Sequence, residues 1–170
     1  MIDFSEAEKY VAQNKELIIG TLADFALTDT LLFWSDKEEL KTLQQQQWQP
    51  VLNWLAQRLN LHFCTTEDFC LPQENERSSE IFAAYLRTLS LKPLTALYLA
   101  ATNLKSPLLA TMFLAGKLSA SEVFDLAFLE ELYQVRQWGE DTAAANLRQI
   151  IRDDLNAIEE YIKNGKMFTN

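Results

Sequence analysis

Residues 93–119 read PLTALYLAATNLKSPLLATMFLAGKLS, and the fold turns on how this stretch is understood. Pro93 opens a helix over 93–104. Ser106 and Pro107 open another over 107–116, with Ser106 at the N-cap and Pro107 at the first helical position, where each residue type is favoured. Gly116 supplies a left-handed stop. Both helices are apolar nearly all round, and a helix of that kind belongs at the centre of a domain. The flanking sequence must therefore provide amphipathic helices to cover them. Composition agrees: only 4 Gly and 4 Pro occur in 170 residues, too few for a turn-rich β-sandwich or barrel.

Upstream, one helix is expected over 5–28, with Val11, Leu17, Ile18, Leu22, Phe25 and Ala26 on its apolar stripe and Gly20 interrupting it. Asp36 is placed to cap a helix through residues 38–47. Pro50 should then kink or restart the chain into a helix over 51–59. Residues 61–75 are the least helical part, with room for at most one short strand near 61–65. Helical patterning resumes at 77–90. Downstream, Ser119 and Glu122 form a capping box before a helix that ends near Trp138-Gly139. The last helix covers 141–163, with Leu147, Ile150, Ile151, Leu155, Ile158 and Ile162 inward and Gly165 as terminator. The expectation is one all-α domain over 1–170, a compact bundle of about seven or eight helices.

Chemistry for catalysis is sparse. His62 is the single histidine, so a His-based metal cluster has no basis within one chain. Cys64 and Cys70 beside it match no familiar zinc spacing, and two cysteines make no disulfide framework. The 4 glycines are far apart, so no phosphate-cradling loop exists. Neither a cofactor nor a catalytic residue is assigned. A net charge of −9 argues against a nucleic-acid partner. The apolar runs fall short of the roughly 20 residues that span a bilayer, so no membrane insertion is expected. The start, MIDFSEAEKY, has no signal-like or transit-like character.

Charge is concentrated late in the chain. Ten acids and three arginines lie between residues 119 and 162. Most of these acids suit a solvated helix face. Glu130, Gln134, Gln137 and Asp141 follow a four, three, four spacing that would align them on one helix face, with Glu131 and Trp138 beside it. Carboxylates, amides and one large aromatic suit recognition of a partner's backbone or arginine. Closure of the core is the other reading for Trp138.

The stretch LEELYQVRQWGED, residues 129–141, resembles the signature of the assembly chaperones for the alpha subunit of the F-type ATP synthase, found in mitochondria and alphaproteobacteria. Glu130, Glu131, Tyr133, Gln134, Trp138, Gly139, Glu140 and Asp141 stand in the motif positions, while Leu132 departs from a commonly acidic or polar one. Thr28-Asp29-Thr30 is similar to the family's Thr-Asp element. Gln47, Trp48, Pro50 and Trp54 resemble its Gln, Trp-x-Pro and later Trp, with Gln49 in place of the usual acid. Ser106 to Leu109 and Gly116 to Ser119 resemble the helix pair before the signature. The resemblance covers about residues 12–162.

It implies a non-catalytic chaperone that binds the unassembled alpha subunit and protects it until the hexamer assembles. Partner-binding residues would be Glu130, Glu131, Gln134, Trp138 and Asp141. Asp29, Trp48, Pro50, Trp54 and Gly139 would be structural. The resemblance further implies that the chain matches the family's helical C-terminal domain, without the β-rich N-terminal domain usual before it. Bacterial cytoplasm is the expected compartment, or the mitochondrial matrix for a trimmed eukaryotic protein. The competing reading is a helical small-ligand-binding or regulatory domain with a pocket between the helices of 93–115.

Overall fold

The computed structural model describes residues 1–70 and 72–165, so the last five residues of the expected domain lie outside the described part. Nine α-helices follow one another among the described residues: α1 (Phe4–Gln13), α2 (Lys15–Leu27), α3 (Glu38–Leu59), α4 (Asn75–Thr88), α5 (Leu91–Leu104), α6 (Pro107–Leu114), α7 (Ala120–Ala127), α8 (Leu129–Trp138) and α9 (Thr142–Asn164). A single 3-10 turn, Thr30–Leu32, follows α2. Helix α6 is buried on all sides except at Met112 and is sheathed by α5, α7, α2 and α3. Around α5 pack α1, α2, α7 and α9. The two apolar helices thus form the centre, as their composition requires.

The all-α class stands, and several boundaries differ from the sequence expectation, α5 among them, which starts at Leu91 and not at Pro93. The helix expected over 5–28 breaks at Asn14, whose side-chain amide donates to the Tyr10 carbonyl and competes with the helical ladder there. Gly20, by contrast, sits within α2 without ending it. The helix expected over 119–138 breaks at Phe128, which stays buried and stacked on Phe124 with ring centroids 4.5 Å apart while α8 turns to meet α3. In the opposite sense, α3 runs unbroken through Pro50. Pro50 is exposed, so water can serve the carbonyl that loses its N–H partner. Lys37 rather than Asp36 occupies the cap position of α3. No strand occurs among the described residues. Instead Thr66 exchanges backbone bonds with the segment after the 3-10 turn, its N–H donating to Leu32 O and its carbonyl accepting from Trp34 N–H.

Asp29 is fully buried and joins this periphery to the centre. Its Oδ1 accepts from Leu31 N–H at 3.0 Å, and its Oδ2 accepts from Leu108 N–H at 2.9 Å. Both oxygens lie within 2.8 Å of Ser106 Oγ, which donates to the carboxylate and accepts from Leu109 N–H. Two otherwise unpaired N–H groups at the start of α6 are thereby satisfied, and a negative charge faces the positive end of the helix dipole. Burial nevertheless raises the Asp29 pKa to about 6, against the lowering effect of those hydrogen bonds. The motif tryptophans also tie helices together: buried Trp48 donates Nε1–H to Leu126 O at 2.9 Å, and half-buried Trp54 packs on the core.

Asp29→Ala strands three buried donors and should lower stability by about 3 kcal/mol or more at pH 7. Because the folded pKa exceeds the unfolded value, the proton-linked stability from Asp29 is complete below about pH 4 and is lost as pH rises through 6. Urea titrations of wild type and Asp29→Asn between pH 4 and 7 should differ in slope, wild type losing more stability on going from pH 4 to 7. Parallel curves would show that Asp29 does not titrate in this range.

Candidate functional site at the α8–α9 corner

Helix α8 is held from two sides. Toward α3, Glu130 Oε1 accepts from Gln44 Nε2–H at 2.6 Å, and Tyr133 OH donates to Glu39 at 2.9 Å. Gln44 is itself fully buried, and its Oε1 accepts from Ser35 N–H at 2.7 Å. The Gln44 amide therefore fixes Glu130 while also holding the entry to α3. Glu130 is half-buried, and its pKa is raised because burial outweighs the Gln44 hydrogen bond.

Toward α9, the buried guanidinium of Arg148 lies 2.7 Å from Glu140 and 3.5 Å from Glu131. One cation thus clamps the first turn of α8, the turn after it and the first half of α9. Both carboxylates remain about half exposed and can still face a partner. Gly139, which ends α8, has φ 88° and ψ 172°, a conformation open essentially to glycine alone. No atom lies within 4 Å of where a Cβ would stand, so conformation and not crowding demands glycine there.

The expected four-residue stripe is only partly assembled. Glu130 and Gln134 share α8, Glu130 at the edge facing α3 and Gln134 exposed. Asp141 is not on that helix: α8 stops at Trp138, and Asp141 is the N-cap of α9, its Oδ2 accepting from Ala144 N–H at 2.9 Å. Trp138 is 86% exposed, so it does not close the core. Leu147 and Ile150, expected inward on α9, are 59% and 58% exposed. Arg148 occupies the inward position in their place, followed by Leu155, Ile158 and Ile162.

Gln44 and Arg148 were not singled out from the sequence, although a signal existed. Gln44 falls in the apolar series Leu40, Trp48, Val51, Leu55 of α3, and Arg148 falls in the series Ile151, Leu155, Ile158, Ile162 of α9. A polar residue at an apolar position must find a buried partner.

Elsewhere, His62 pairs with Asn60 Oδ1 at 2.9 Å, and Cys64 and Cys70 are exposed and free. Among the described residues no group of three His, Cys, Asp or Glu side chains is placed to hold a metal, and no helix is long and apolar enough to cross a membrane. A shallow pocket of about 250 Å³ opens between the α6–α7 turn and the end of α9, lined by Lys117, Glu122, Glu159 and Lys163 with Phe113 at its floor. Three of these four charges are partnered within the chain, Lys163 with Glu159 and Glu160, and Glu122 in the Ser119 capping box.

Comparison with known proteins shows what this chain is similar to. A family model described as ATP12 chaperone protein matches residues 1–56. The mitochondrial protein atp12 of Schizosaccharomyces pombe is 27% identical over 145 residues, 81% of this chain and 49% of that protein. The chain thus spans about half the length of that curated relative. The crystal structure of Atp12 from Paracoccus denitrificans superposes with a TM-score of 0.87 at 22% identity, over 96% of this chain and 69% of the other. A mutant of the same Paracoccus protein gives 0.87 at 23%, over 92% and 68%.

Gly139→Ala should cost about 1–3 kcal/mol from backbone strain. Arg148→Met should cost roughly 1–3 kcal/mol through the loss of charge-assisted hydrogen bonds. Thermal melts check both, and an unchanged midpoint in either variant would show that the corner does not depend on that residue.

Proposed function

We propose, from the premise that the chain is a relative of the ATP12 chaperones in sequence and fold, that it binds the unassembled alpha subunit of the F-type ATP synthase. On this reading it acts without catalysis, covers surface on the alpha subunit that would otherwise associate wrongly, and leaves when the hexamer forms. The chain corresponds to the helical part of longer relatives. It works in the bacterial cytoplasm or the mitochondrial matrix, the latter in keeping with the mitochondrial fission-yeast relative.

The observation that carries the reading is the pairing at α8 of a half-buried, pre-oriented Glu130 with a Trp138 exposed over most of its surface. An exposed indole with no packing role is a natural anchor for a partner. A carboxylate already fixed by Gln44 accepts a partner's hydrogen bond with little further ordering cost. Glu131, Gln134 and Asp141 add acceptors around that pair.

Purified chain should capture unassembled alpha subunit and not free beta subunit. Glu130→Gln keeps an acceptor for Gln44 and so should melt within about 0.5 kcal/mol of wild type. Its affinity for the alpha subunit should fall about tenfold, the scale of one charge-assisted contact. Trp138→Ala should also melt like wild type and bind more weakly still. Wild-type affinity in both variants would remove the corner from the binding surface, and failure of the wild-type chain to bind the alpha subunit would refute the reading.

A further inference from the structure

Helix α9 carries aliphatic side chains at the edge of its apolar face that the core does not use. With 100° between successive residues, Ala143, Leu147, Ile150 and Asp154 fall within a narrow sector of the helix surface. That sector lies about a quarter turn round the helix from Arg148, Leu155 and Ile158, which face inward. Leu147 and Ile150 keep 59% and 58% of their surface in water. Single exposed aliphatics are ordinary. Two of them one turn apart on the same face form a patch.

The unpaired charges that α9 sets at the two ends of this patch have one sign. Asp141 stands at its start, and Asp153 and Asp154 at its end, while Glu140 is paired with Arg148. The arginines of α9 are committed elsewhere: Arg148 is buried between Glu131 and Glu140, while Arg152 sits 3.7 Å over the Phe124 ring and 3.6 Å from Asp125. Thirteen residues separate Asp141 from Asp154, about 20 Å along a helix. With acids at both ends and aliphatics between, the complementary surface is apolar in the middle and basic at each end.

We propose that the outer face of α9 is a docking strip for an amphipathic helix of the client protein, three to four turns long, with basic residues flanking an apolar face. The inference rests on the chaperone reading above and names the structural element that the client presents. Such a helix lies along an apolar stripe through positions spaced three and four apart, as in other helix-in-groove recognition. The basic ends fix its register, and the acidic field speeds encounter. A second copy of this chain is a poor occupant because it brings the same −9 charge to an already acidic face.

The test uses the full chain and purified, unassembled alpha subunit. Leu147→Ser/Ile150→Ser removes the apolar middle from exposed positions. Asp153→Asn/Asp154→Asn removes the acids at one end, and a photo-crosslinking residue at position 147 reports what lies on the strip. The double Ser variant should keep wild-type helicity and melting and lose at least tenfold in affinity. The double Asn variant should associate more slowly, with a weaker dependence on salt. The crosslinked client peptide should be an amphipathic helix flanked by Lys or Arg. Wild-type affinity in the double Ser variant, with Glu130→Gln still impaired, would overturn the strip and leave the chaperone reading standing. Crosslinks to a second copy of this chain, or to an acidic or non-helical client segment, would also overturn it. No binding of alpha subunit by the wild-type chain would overturn both.

Discussion

One buried carboxylate sets the terms for this molecule. Helix α6 is eight residues long and enclosed on nearly every side, so the free N–H groups at its start cannot turn to bulk water. Asp29, reached from the end of α2, and Ser106, reached from the preceding turn, answer that need together. The cost is a carboxyl group so desolvated that its pKa rises to about 6. The gain is a fixed angle between α2 and α6, around which α5, α7 and α3 are arranged. The short Thr-Asp-Thr element is therefore a centrepiece of the fold although it lies in a connection between helices.

Two further buried polar groups carry that order outward. Gln44 interrupts the apolar stripe of α3, and Arg148 interrupts that of α9. Each would weaken a purely hydrophobic core, yet each has its partners in place: Ser35 and Glu130 for Gln44, Glu131 and Glu140 for Arg148. Between them they hold α8, a ten-residue helix that fully buries Leu129 and packs Leu132 and Tyr133 partly buried against the core. The polar ties and the Gly139 turn add to that apolar contact in fixing its position. Its exposed face is correspondingly free to meet a partner.

What was legible in the sequence follows from the same physics. The apolar pair α5 and α6, the Ser106-Pro107 start and the Ser119-Glu122 box were readable because propensity, capping and patterning agree there. The breaks at Asn14 and Phe128 were not, because the apolar periodicity continues across both and only local hydrogen bonding and tertiary packing decide them. Pro50 misled in the other direction, since exposure relieves the defect that proline introduces. Leu147 and Ile150 were sorted with Leu155 and Ile158 because all four lie on one broad apolar face of the helix. Sequence spacing alone does not say how much of that face the core takes. Asp141 looked like part of the α8 face only if the helix ignored Gly139, whose conformation ends it.

The α8–α9 corner thus combines an exposed indole, a pre-oriented carboxylate, and exposed aliphatics set among acids. On the proposed reading, this surface would select its client by charge and shape. Amide hydrogen exchange of the chain, free and saturated with unassembled alpha subunit, tests that account most directly. Slowed exchange concentrated in residues 129–150, with α1, α2 and α4 unchanged, is the predicted result. Protection centred on α1, α2 or α4, with 129–150 exchanging as in the free chain, would contradict it.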